Sequence, residues 1–185
     1  MDYKTKPVSR KELRCFALFL RDLFDVPLTG IFPVLTVLER LGDIFPNCNY
    51  EVVEDNLLPN QTVAQCIENG LGGFTIEIKE YVYNGAYNKG IGAYRGFICH
   101  EICHILLSTI GYKPVLECSF ENNKLRAYES VEWQAKALCG EVMIPFEESR
   151  GMDVKTLIDT YGVSKGFAEK RILIERKRGN MIVKK

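Results

Sequence analysis

Apolar residues recur at helical spacing through Leu13, Phe16, Leu20 and Phe24 near the start of the chain. Such a period marks an amphipathic helix with one face turned to a core. Ser9 followed by Glu12 forms a capping box just ahead of this run, which satisfies two of the orphan amides of a first helical turn. The pattern predicts a helix from about Ser9 to Asp25, ended by Pro27 and Gly30. A second, short helix is expected over Pro33 to Leu41, and a strand over Asn49 to Glu54. Gly70-Leu71-Gly72-Gly73 reads as a turn. From Phe74 the period changes to two: Phe74, Ile76 and Ile78 alternate with Thr75, Glu77 and Lys79. Alternation of that kind belongs to a half-buried strand, expected to run to Tyr83. The glycine- and asparagine-rich stretch from Asn84 to Gly92 reads as a loop.

The helical period returns over Tyr94 to Thr109, where Ile98, Ile102, Ile105 and Leu106 form a stripe. Gly111 and Pro114 stop it. Val115 to Phe120 is mostly apolar and is expected to be a further strand. Another helix is predicted from about Glu129 to Met143, ended by Pro145. Val154 to Tyr161 and Ser164 to Arg176 read as two helices joined through Gly162-Val163, a pairing that resembles a helix-turn-helix unit. The expected organisation is an N-terminal helical segment over 1–45, a mixed central region over 46–150 and a C-terminal helical segment over 151–185.

With 185 residues, 46% hydrophobic and 26% charged, the chain can bury a substantial core. Lysines and arginines equal aspartates and glutamates at 24 each, so no basic surface is available for a general grip on nucleic acid. Direct nucleic-acid binding is therefore not expected. The tail is locally basic, with eight lysines and arginines against two acids from Lys165 to Lys185, a run that fits a solvated helix face. The seven cysteines are odd in number and show no C-x-x-C spacing. No secretory h-region is visible in the first residues, and no apolar run is long enough to span a bilayer. Reduced thiols and a cytoplasmic location are the expectation.

Candidate chemistry enters through the two histidines of the chain, both of which fall in His100-Glu101-Ile102-Cys103-His104. Four residues is one helical turn, so both imidazoles can reach one ion. Glu101 stands beside them as a general base. This H-E-x-x-H arrangement points to zinc-assisted hydrolysis, for which zinc takes three protein ligands. With both histidines used, the third ligand has to be a carboxylate or a thiolate. Glu129 and Glu132 are three apart on the next predicted helix and share a face; spacing does not choose between them. Cys99 and Cys103 read as buried thiols.

The stretch Tyr94-Arg95-Gly96-Phe97-Ile98-Cys99-His100-Glu101-Ile102-Cys103-His104, with Glu132-Trp133-Gln134-Ala135 and Met143-Ile144-Pro145 downstream, resembles the ImmA/IrrE family of metallopeptidases. Glu80 to Ala86 is similar to the strand and loop that precede the motif in that family. Tyr161-Gly162-Val163-Ser164 and Lys170-Arg171-Ile172 are similar to its tail helices. The likeness covers about Phe74 to Arg176. Two departures stand out: Gly96 intervenes before Phe97, and Ile102-Cys103 replaces a common Leu-Gly.

The resemblance implies an α+β, zincin-like core over the central segment, with a helix-turn-helix-like C-terminal segment. It implies Zn2+ held by His100, His104 and Glu132, with Glu101 as catalytic base. It further implies an endopeptidase whose protein substrate is a helix-turn-helix repressor, so that the chain acts as an anti-repressor. A different class of function stays open at this level: a non-catalytic regulatory module with a structural zinc, holding a repressor or DNA through its C-terminal helices. A site closed by a fourth protein ligand would favour that alternative.

Overall fold

The computed structural model describes residues 2–114 and 125–182. Its architecture is α+β: among the described residues, eight helices surround a small mixed sheet of three strands. Helix α1 (Arg10–Leu23) begins where the capping box predicts. The Ser9 side chain accepts from the Glu12 amide at 3.2 Å, and Glu12 accepts from the Ser9 amide at 2.8 Å. Its buried face is Leu13, Ala17 and Leu20, joined by Arg21, which is fully buried. That guanidinium is tolerated because it donates to the carbonyls of Val142 (2.7 Å), Gly30 (2.9 Å) and Pro27. A buried cation without such partners would cost several kcal/mol. Two short helices follow, α2 (Val34–Glu39) and α3 (Leu41–Ile44).

Strands β1 (Asn49–Val53), β2 (Ala64–Glu68) and β3 (Phe74–Lys79) pair in the order β1-β3-β2. β1 runs parallel to β3 with Tyr50 opposite Ile76, and β2 runs antiparallel to β3 with Cys66 opposite Ile76. β2 has no counterpart in the reading of the pattern, since Gln65, Cys66 and Glu68 carry little hydrophobic alternation. The predicted strand from Phe74 stops at Lys79, and the expected loop after it is helix α4 (Glu80–Lys89). The switch has a local cause. The Tyr81 amide is capped by Asp55 at 3.2 Å, and Val82, Gly85 and Ala86 are buried at helical spacing. Gly85 is required by packing: a Cβ there would lie 2.4 Å from the Tyr94 ring. Gly90, in the left-handed region at φ 60°, ends the helix as a C-cap glycine does.

Helix α5 (Gly92–Thr109) is the central element, with Ile98, Ile102, Ile105 and Leu106 in the core as its stripe predicts. The Val115 to Phe120 strand expectation lies outside the described residues. Helix α6 (Val131–Met143) packs along α1 and α5. Glu129 is not part of α6, as the pattern suggests, but closes a 3-10 turn (Ala127–Glu129) ahead of it. Ser130 caps α6 by accepting from the Trp133 amide at 2.9 Å, and an N-cap serine sets where a helix begins.

Helices α7 (Val154–Tyr161) and α8 (Lys165–Ile182) occupy the predicted tail positions, α8 running further than expected. Leu157, Tyr161, Val163 and Ala168 join the same buried cluster as the apolar residues of α5 and α6. The turn between the two helices touches the start of α5. Arg95 donates to the Gly162 carbonyl, and a Cβ on Gly92 would lie 2.5 Å from that same oxygen. No described helix is long and apolar enough to cross a membrane.

Candidate metal centre

The helical turn of α5 stacks His100 over His104, with ring centroids 4.6 Å apart and planes at 77°. Their Nε2 atoms are 3.2 Å apart. Glu132, in the first turn of α6, brings Oε1 to 3.3 Å from His104 Nε2 and Oε2 to 3.5 Å from His100 Nε2. Ligand atoms of the three residues all lie within 4.8 Å of one another. The site is half-buried: side-chain exposure is 18% for His100, 16% for His104 and 37% for Glu132.

Zinc fits this donor set. Two bonds of about 2.0–2.1 Å meeting at a tetrahedral angle place their ligand atoms about 3.3 Å apart. The observed separations of 3.2, 3.3 and 3.5 Å, the last two to different oxygens of Glu132, are close to that edge length. Two imidazoles and one carboxylate are also a donor set typical of catalytic zinc. Among the described residues this is the one group of histidine, cysteine and acidic side chains close enough to share an ion. Of the two glutamates that spacing leaves open, Glu132 is in the group and Glu129 is not. The Glu129 carbonyl instead accepts from the Thr5 amide at 2.7 Å.

The electrostatics follow from closeness and burial. Hydrogen bonds from His100 and then His104 hold the Glu132 carboxyl far below its ordinary range, against the effect of burial. Lys136, one turn on, adds an ion pair to Glu132 Oε2 at 3.1 Å. For His100, burial lowers the pKa, but the Glu132 hydrogen bond and the Glu101 charge outweigh it, and the net shift is upward. Glu101 is raised chiefly by burial, opposed by the two imidazoles and by the Cys66 backbone of β2. A carboxyl whose pKa is raised is a better proton acceptor than an ordinary surface glutamate.

The surroundings pin Glu132 from behind. The Asp2 carboxylate accepts from the Ser130 hydroxyl at 2.6 Å and from the Glu132 amide at 3.2 Å. Gln134, fully buried, donates to the carbonyls of Lys6 and Tyr128, each at 2.8 Å. The N-terminal residues thus brace the first turn of α6, a role the sequence pattern does not announce. Cys99 and Cys103 are buried, at 1% and 0% exposure, on the core side of α5. His100 Nδ1 is buried without a hydrogen-bond partner among the described residues. A cavity of about 380 Å³ runs along α5 from His100 to Ala93, walled by α6 and α8.

No family model matches the chain, and no curated protein matches it.

Proposed function

We propose that the chain is a zinc-dependent endopeptidase of the ImmA/IrrE kind, with a zincin-like core, that cleaves a helix-turn-helix repressor and so acts as an anti-repressor. The observation that carries the hydrolase reading is the convergence of His100, His104 and Glu132 within 4.8 Å beside a half-buried glutamate, Glu101, whose pKa is raised chiefly by loss of solvent. A structural zinc site has no use for such a base, and the described residues offer three ligands rather than the four of a closed site. The repressor as substrate rests on the sequence resemblance alone.

In this reading His100, His104 and Glu132 hold the ion. The ion would supply Lewis acidity for the scissile carbonyl and make water nucleophilic near neutral pH. Glu101 takes the proton from the attacking water and returns it to the departing amine, so one carboxylate serves both halves of the reaction. Asp2 holds the Glu132 backbone amide and Lys136 pairs with its carboxylate, which together position the ligand. The test is incubation of the purified protein with a helix-turn-helix repressor encoded beside it, with and without chelator. The expected result is chelator-sensitive cleavage of the repressor at a defined bond. An intact repressor in the presence of zinc-loaded protein would overturn the assignment of substrate.

A further inference from the structure

The cavity beside His100 has a chemical character of its own. Its walls are apolar: Phe97 and Ala93 from α5, Trp133 and Ala137 from α6, Phe167 and Ile174 from α8. Four cations also line it, Arg10, Lys136, Lys170 and Arg171, and no carboxylate does so among the described residues. The charges are only partly neutralised from behind. Arg10, Arg14 and Arg171 all share the one buried carboxylate of Glu141, at 3.3, 3.4 and 3.2 Å. Lys136 is offset by Glu132. Lys170 is exposed, and no ion-pair partner for it lies among the described residues. Arg14 has a second partner in Glu147 at 3.8 Å and does not line the hollow; Arg10 and Arg171 on one carboxylate, plus Lys170, leave a positive excess at an otherwise apolar hollow. A volume of about 380 Å³ is in the range of small-ligand pockets.

We propose that this cavity selects a peptide segment in which an apolar side chain is followed by an acidic one. The apolar group packs against Phe97, Trp133 and Phe167, and its carboxylate neighbour meets Lys170 and Arg10. That the ligand is a peptide rests on the hydrolase reading above; that it is apolar with a negative head rests on the cavity alone. His100 stands at one end of the hollow, so a segment seated there leads directly to the metal centre.

Trp133 is the only tryptophan of the chain and lines the cavity, so its fluorescence reports occupancy without any need for turnover. The experiment titrates the full-length, zinc-free protein with N-acetyl-Phe-Glu-amide and with the matched Gln and Lys peptides. The Glu peptide should bind about fivefold tighter than the Gln peptide, and the Lys peptide weakest, as a partly solvated charge contact allows. The preference should shrink with added salt. Lys170→Gln, at an exposed position, should reduce it and Lys170→Glu should reduce it further, while Phe167→Ala should weaken the Glu and Gln peptides alike. Equal binding of the Glu and Gln peptides, absence of binding by all three, or a preference undiminished in both Lys170 variants would overturn the proposal. So would a preference that appears only when zinc is present, because the carboxylate would then be on the ion. Failure of the protein to cleave repressor leaves this binding result unaffected, which separates the two readings.

Discussion

Glu141→Gln removes a single charge from the interior and should be among the most damaging substitutions in the chain. Glu141 is 1% exposed and receives Arg171, itself 3% exposed, at 3.2 Å. Arg10 and Arg14 reach the same carboxylate at 3.3 and 3.4 Å, with 29% and 17% of their side chains exposed. Glutamine keeps the volume but leaves the Arg171 guanidinium buried without a counter-charge. Breaking a buried pair in this way costs about 3–5 kcal/mol. Arg171 also donates to the carbonyls of Gly140 and Ile144, and the two outer arginines regain solvent, so the lower end, about 3 kcal/mol, applies. In a chain of this length that corresponds to a fall in Tm of roughly 6–12 °C. The assay is thermal unfolding by circular dichroism beside Lys165→Ala, which removes an exposed pair to Glu169 at 3.8 Å and should move Tm by no more than about 2 °C. Equal shifts for the two variants would refute the idea that this carboxylate clamps α8 to α1 and α6.

Three further outcomes are expected. Glu101→Gln should keep the fold and the metal while lowering turnover by about 10²–10⁴-fold; activity within a few-fold of the unmodified protein at equal zinc content would exclude Glu101 as the base. Zinc affinity should fall with acidification, because the ion requires the neutral imidazole of His100 and the Glu132 hydrogen bond raises that pKa above 6.5. Affinity should therefore be complete above the raised pKa and drop about tenfold per pH unit below it, and a competition titration that is flat from pH 8 to 5 would contradict this. Truncation before Met152 should unfold the protein or lower its Tm sharply, since Leu157, Tyr161, Val163 and Ala168 are all in the common core; a truncated chain with unchanged unfolding would show the tail helices to be dispensable for stability.

The elements legible from the pattern are those whose cause is local. The Ser9 capping box starts α1 where it should, and the stripe of α5 is buried as its spacing implies. His100, Glu101 and His104 needed only the helical period to be placed together. Elements set by distant contacts were not legible. α4 replaces a loop because Gly85 lets Tyr94 pack against it and Asp55, 26 residues away, caps Tyr81. β2 is a strand because β3 offers it an edge, not because of its own alternation. Glu132 and Glu129 were separable only through the family resemblance, since the difference lies in Ser130, which starts α6 between them. Arg95 ties the motif helix to the Gly162 carbonyl, a partner 67 residues on that no spacing rule selects. The Glu141 cluster was invisible for the same reason: three arginines from two helices meet one carboxylate only after the chain has folded.

Whether His100, His104 and Glu132 hold one zinc ion is decided by a chelator-competition titration combined with elemental analysis. The protein as isolated should hold about one zinc per chain. Glu132→Ala should weaken binding by well over the roughly 10–100-fold typical of losing an outer-shell partner, while Glu129→Ala, outside the group, should change it little. A protein that contains no zinc and takes up none, or a pair of variants that rank in the opposite order, would contradict the account.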